Sequence, residues 1–274
     1  MGSEPRPVAS IVAVVRLAVL AAAAGVVSAY ASLGFLLGIG WVQSMLVGSA
    51  SAGLSAAIDQ APWWRVLLAP ALGGLVVGLL VRYVMPGRVA QGPADVIEAV
   101  QVRDGRMPLR RGLLSAAASV ISIGSGASVG RYGPALHLGA TLGSWLARYV
   151  SVDRNARIAL LGSGAAAAIA AAFNAPLAGI LFAHEVVICG FAVRSVMPVV
   201  VGSAVGASVV RAHGSSVALF ELPDPGIEHF YEYPLFVVLG VLGGVLAIAF
   251  IRSVDIASRH AARVPAPDWA RPMI

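Results

Sequence analysis

The chain has 274 residues, 58% of them hydrophobic and 12% charged. A soluble domain carries about a quarter of its residues charged, so lipid rather than water must solvate much of this surface, and a soluble enzyme or nucleic-acid binder is excluded. The net charge of +6 is carried by arginine without any lysine; those arginines stand at the ends of apolar runs, which is a topology signal rather than a phosphate-binding footprint.

A spanning helix needs roughly 20 mainly apolar residues. In chain order the candidate runs are 8–40, 62–85, 112–129, 134–150, 155–172, 176–190, 193–212 and 233–251. The first is too long for a signal-peptide core and lacks a cleavage site; it is expected to span, with Arg16 near its cytoplasmic end. With the N-terminus in the cytoplasm, every arginine except Arg65, Arg131 and Arg211 falls on the cytoplasmic side, the loop holding Arg82, Arg88, Arg103, Arg106, Arg110 and Arg111 included. Glu221, Asp224, Glu228, Glu232 and the nearly uncharged 41–61 loop then fall outside. Recurrent small-xxx-small spacing, at Gly34/Gly38, Gly74/Gly78, Gly139/Gly143, Gly202/Gly206 and Gly240/Gly244, supports a closely packed bundle. The single cysteine, Cys189, excludes a disulfide framework and a Cys-based zinc site. It is expected as a small apolar residue within a helix. Neither a metal nor a cofactor is expected.

Runs 112–129 and 134–150 are joined by Gly124-Ser125-Gly126-Ala127-Ser128-Val129-Gly130-Arg131-Tyr132-Gly133-Pro134. Irregular backbone at membrane depth survives only where it lines a cavity or is buried in protein, and broken helices point to transport sites. Pro134 suits the first turn of the helix that resumes there. The free N–H groups and partial positive charge of such a helix start form an anion site. Gly130 and Gly133 let the backbone approach an ion, and Arg131 adds a full charge. The spacing does not fit a dinucleotide fingerprint, and no strand precedes it; simple helix packing with a turn is the alternative. Further on, an Ala/Gly helix stops at Asn174, which is expected to cap the helix restarting at Pro176. His184 and Glu185 near the end of that helix are an ionisable pair with either a functional role or an interfacial, snorkelling one.

Taken together, GSGASVGRYGP (124–134) and GSGAAAAIAAAFNAPLAGILFAHE (162–185) resemble the chloride channel and chloride/proton antiporter (CLC) family, whose pattern is GREGP followed by an Ala-rich helix and FNAPLAG. The resemblance covers about residues 60–255. It implies an all-α, polytopic transmembrane helix bundle comprising the first inverted repeat of the CLC-like fold and the first helix of the second. On this reading the domain spans 1–264, with a Pro-rich tail over 265–274. It further implies chloride or another small anion as the transported species, a homodimer in a lipid bilayer, and possible completion by a second chain. The composition points to a bacterial inner membrane.

Four departures from the family pattern qualify what carries over. The gating glutamate aligns with Tyr132, a phenol that is uncharged near pH 7. The inner proton-transfer glutamate aligns with Val186, its neighbour being kept as Glu185. Gln91-Gly92-Pro93-Ala94-Asp95-Val96 replaces the family's serine-containing anion motif, so that Gln91 and Gly92 are anion-lining candidates or ordinary loop residues. The second-half filter motif and pore tyrosine have no counterpart. The leading expectation is an anion channel or passive transporter in truncated or split form, not proton-coupled. Gly130, Arg131, Tyr132 and Gly133 hold the anion, and Tyr132 is the gate. The alternatives are an antiporter with His184 and Glu185 as a displaced proton route, or a transport-inactive membrane fragment or interaction subunit dimerising through 176–212.

Overall fold

The computed structural model describes residues 7–48, 61–150, 152–190, 193–213, 229–230 and 232–261. Most of the expected outer loop, the acidic positions 221, 224 and 228, and the 265–274 tail lie outside the described residues. Among those residues all regular structure is helical, and five helices are long and apolar enough to cross a bilayer. One unit holds α1 (Pro7–Leu46), α2 (Trp63–Leu79), α3 (Pro93–Gln101), α4 (Leu109–Gly124), α5 (Tyr132–Leu146), α6 (Arg154–Phe173), α7 (Pro176–Phe182) and α8 (Val193–Ala212). A second unit holds α9 (Glu232–Ala261), an apolar helix longer than the expected 233–251.

Helix α1 was expected to end at residue 40, but no glycine or proline interrupts Trp41–Leu46, and the helix continues through them. Its 40 residues reach about 60 Å at 1.5 Å per residue, twice the hydrocarbon thickness of about 30 Å. One stripe of α1 is buried, with Ala21, Ala24, Ser28, Ser32, Phe35 and Ile39 recurring every three or four residues. The outer side stays apolar at Val14, Val19 and Leu37, as lipid contact requires.

Helix α6 is the axis of this unit, buried continuously from Ile158 to Ala171. Its alanines and glycines let neighbours approach backbone to backbone. A Cβ added at Gly139 of α5 or Gly164 of α6 would collide with the other's carbonyl oxygen, and one at Gly202 of α8 would collide with Ser163. Serine hydroxyls cross the same contacts, Ser28 Oγ donating to the Gly139 carbonyl at 3.3 Å and Ser163 Oγ to that of Ala21 at 3.2 Å. Dispersion and such bonds replace the hydrophobic effect between helices in lipid. The Gly139/Gly143 and Gly202/Gly206 pairs lie at these contacts, whereas Gly34 faces open space.

Three local expectations need correction. The arginine-rich loop of 82–111 contains a helix, α3, because Pro93 starts one and Val96, Ala99 and Val100 bury a side against Leu136, Ala140 and Leu161. Asn174 does not cap α7; it closes α6 in the left-handed conformation (φ 50°, ψ 33°), a position where Asn substitutes for Gly. Its Oδ1 accepts from Arg211 Nε at 2.8 Å. Cys189 is not inside a helix: residues 183–188 form a π-turn after α7, which Cys189 ends, exposed, at φ 55°.

Candidate functional site

The break between α4 and α5 is built by the sequence Ser122–Ala127. Gly126 takes φ +107°, its N–H donates to the Ile123 carbonyl at 3.0 Å, and the Ala127 N–H reaches back to Ser122 at 3.1 Å. This pair of bonds is the Schellman end, which needs glycine at its left-handed position. The chain then runs without regular structure to Arg131, and α5 begins at Tyr132. Pro134 occupies its third position, where no N–H is needed.

The N–H groups of Gly130, Arg131, Tyr132 and Gly133 meet no acceptor among the described residues, as the first turn of a helix dictates. No acidic side chain stands in that turn. The start of α3 is different. Asp95 reaches back to the Gly92 N–H at 2.8 Å and to Gln91 Nε2 at 3.3 Å, and the Gln91 N–H donates to Ser115 Oγ at 2.9 Å. The backbone N–H groups of Gln91 and Gly92, the two anion-lining candidates of this loop, and the Gln91 side-chain amide are therefore all engaged within the protein. Sequence spacing could not show this, because Ser115 lies on α4.

The two helix starts meet at one cavity of about 540 Å³, walled by Pro93, Tyr132, Gly133 and Leu136 together with Phe173, Ala178 and Phe182 from the end of α6 and from α7. Gly133 sits so close to Pro93 that an added Cβ would lie 3.1 Å from its Cγ. Its lining side chains are apolar apart from the Tyr132 hydroxyl. A charged guest there would find few polar groups beyond those N–H donors. Tyr132 is half-buried and its ring stacks on Phe173, centroids 4.0 Å apart and planes 29° from parallel. Arg131 is exposed; its guanidinium lies over the same ring at 5.3 Å and reaches the hydroxyl at 3.3 Å. Residues 128–131 are exposed on the chain's own surface.

His184 and Glu185 differ in exposure. His184 is buried and its Nδ1 lies 2.9 Å from the Gly190 carbonyl, while the Gly190 N–H donates to the His184 carbonyl at 3.0 Å. The ring thus closes the turn around Cys189. Glu185 faces outward and is exposed. Two features escaped the sequence reading. Phe173 forms the wall on which the Tyr132 ring rests; it opens the FNAPLAG motif quoted above, but no role was assigned to it there. His137 is 1% exposed, with Nε2 unpartnered among the described residues; between two leucines it carries no periodic signal.

A family model described as voltage gated chloride channel matches residues 73–274. A ClcB-like protein of Ralstonia nicotianae is 33% identical over 253 residues, which is 90% of this chain and 58% of that protein. The voltage-gated ClC-type chloride channel ClcB of Yersinia pestis is 31% identical over 83% of this chain and 55% of its own length. Among solved structures, a slow cyanobacterial Cl⁻/H⁺ antiporter superposes with a TM-score of 0.77 at 21% identity, over 94% of this chain and 61% of that one. A CLC-type fluoride/proton antiporter gives 0.74 at 22%, over 93% and 62%. At those identities the likeness is one of fold. The chain spans a little over half the length of the curated relatives it matches.

Proposed function

Because the chain belongs to the voltage-gated chloride channel family, we propose that it serves the passage of chloride or a similar small anion across a membrane, with the first turn of α5 as the anion-holding element. The observation that carries this reading is the convergence just described: the start of a 15-residue helix with unspent N–H groups borders, at Tyr132 and Gly133, an apolar cavity shared with the start of α3. Unpaired donors in a dry site bind an anion because the ion replaces the missing acceptor. Gly130, Arg131, Tyr132 and Gly133 form this anion site. Gln91 and Gly92 support it indirectly, by tying the start of α3 down through Asp95 and Ser115.

Tyr132 acts as an uncharged gate in this proposal. Its ring lines the cavity and is held by stacking on Phe173 and by the Arg131 guanidinium, which also reaches its hydroxyl. A glutamate at that position would compete with the anion and carry a proton; a phenol near neutral pH does neither. Transport is therefore passive, not proton-coupled. A proton route through His184 and Glu185 draws no support from their placement, since the imidazole is buried in closing a turn and the carboxylate is exposed. The chain is carried in a bacterial inner membrane with its N-terminus cytoplasmic, as two copies paired through 176–212, in line with the arginine distribution and the family.

The test is reconstitution of the purified chain in liposomes, with chloride release and external pH recorded together under a valinomycin-set potential. Chloride release without matching proton movement is expected. Proton movement in fixed ratio to chloride would defeat the passive reading, and absence of any chloride release would defeat the transport reading for this chain by itself.

A further inference from the structure

Away from the anion cavity, a larger hollow of about 1180 Å³ lies where the start of α4, the end of α5 and the start of α6 come together. Helix ends at a common level mark one face of a membrane, and the arginine pattern makes this the cytoplasmic face. Arg103, Arg106, Arg110, Arg148 and Arg157 line the hollow, against one carboxylate, Asp104. Asp104 is already bound by Arg154 at 2.6 Å, and Arg103 by Glu98 at 2.7 Å. Arg157 donates to the carbonyl oxygens of Asp104 and Val152. The guanidinium groups of Arg106, Arg110 and Arg148 have neither an acidic partner nor a hydrogen bond among the described residues.

Three unneutralised guanidinium groups repel one another around a shared space, so the backbone must hold them there. It does. Buried Ser144, at the end of α5, donates Oγ to the Gly105 carbonyl at 2.7 Å and accepts the Met107 N–H at 2.9 Å. The Gly105 N–H bonds the Ala99 carbonyl at 2.7 Å, and Gly105 takes φ +72° with its Cα face against Ile158. The loop bearing Arg103 and Arg106 is thus fastened to α3 and α5 and braced against α6. Between the arginines the lining is apolar, at Leu109, Leu113 and Val150, and Leu113 is exposed despite its size. Tyr149, exposed and edge-on to Trp145 at 5.1 Å, adds an aromatic pair at the same level, where such rings sit at the headgroup boundary.

We propose that this hollow binds the headgroup of an anionic phospholipid from the cytoplasmic leaflet. Arg106, Arg110 and Arg148 hold the phosphate, and the first part of an acyl chain lies along Leu109 and Leu113. Free phosphate shares the charge chemistry but leaves the apolar wall wet, and the combination of both surfaces favours the lipid.

The full chain, purified in a neutral detergent, is titrated separately with phosphatidylglycerol, phosphatidylcholine and inorganic phosphate. Retained lipid is counted by native mass spectrometry, and thermal unfolding is followed alongside. Phosphatidylglycerol is expected to be retained and to raise the unfolding temperature; phosphatidylcholine and millimolar phosphate are expected to do neither. The triple change Arg106→Gln, Arg110→Gln, Arg148→Gln should weaken retention about a hundredfold, at about fivefold per arginine. The matching Arg→Lys triple, which keeps the charge, should stay within severalfold of the parent. These side chains are exposed and unpaired, so their loss strands no buried group; if the triple glutamine form still fails to fold, Arg106→Gln alone is read for its expected loss of about fivefold. Equal retention of the two lipids, or undiminished binding in the glutamine variants, overturns the proposal. So does a phosphate effect equal to that of the lipid, which would make this a free-anion site.

Discussion

If the Tyr132 ring gates the cavity, the energy holding it in place should be readable as flux. Phe173→Ala removes the surface on which it rests. A stacked pair with centroids 4.0 Å apart contributes about 0.5–1.5 kcal/mol beyond its area burial. Phe173 is itself 38% exposed, so its removal costs the fold little. Where ring displacement limits passage, that energy converts to a rise in chloride release of about two- to twelvefold. A wider cavity would also raise flux, so the measurement is made as a cycle with Tyr132→Ala. When the ring is already gone, removing its support should add nothing. Liposome chloride efflux on the four proteins decides it. Fully additive effects, or no rise in the single Phe173→Ala variant, would refute the gate.

Three further outcomes follow from the same geometry. Tyr132→Glu puts a carboxylate against the donors of α5; above the carboxylate range it should occupy the anion site and depress chloride efflux, and efflux should recover as pH falls and the group is neutralised. Flux in this variant that is flat with pH would contradict the placement of the site. Asp95→Ala frees the Gly92 N–H and Gln91 Nε2 and should cost about 2 kcal/mol of stability, seen as a lowered unfolding midpoint in detergent. Gly139→Val drives a side chain into the Gly164 backbone and should abolish a monodisperse peak on gel filtration, whereas Gly34→Val, facing open space, should leave it unchanged.

The membrane class and the broken α4–α5 pair were legible because they depend on local composition: apolar runs, a glycine-rich interval, and a proline placed to open a helix. The start of α5 was legible for the same reason, since orphan N–H groups follow from the helix beginning itself. What could not be read was which helix start keeps its donors. Gln91 and Gly92 stood open between anion-lining and ordinary loop roles until the fold brought Ser115 and Asp95 to them. Helix α3 was hidden because nine residues give too few turns for a convincing period, and flanking arginines masked its apolar side. Asn174 was misread because its side chain suits either end of a helix; the backbone at φ 50° decided for the end of α6.

The pairing of a spent and an unspent helix start has an electrostatic consequence. Each start contributes roughly half a positive charge, and Asp95 at α3 contributes a full negative one. The three nearly cancel, so the two like ends do not repel each other across the cavity, but neither do they alone attract an anion from a distance. On the proposed reading, the α5 donors bind at close range, and the attraction that brings an anion to them rests on Arg131. Because Arg131 is exposed, its contribution is that of a solvated charge, about 1 kcal/mol at 4 Å, which is about fivefold in occupancy. Arg131→Gln should therefore lower chloride efflux about fivefold at low ionic strength. The difference from the parent should shrink once an impermeant salt brings the Debye length to about 3 Å, near 1 M. Arg131→Lys should retain most of the efflux. A loss that is equally deep at high salt would mean that Arg131 shapes the Tyr132 ring through its contact at 5.3 Å rather than drawing the ion in, and an Arg131→Gln variant with parental efflux at low salt would remove the arginine from the account altogether.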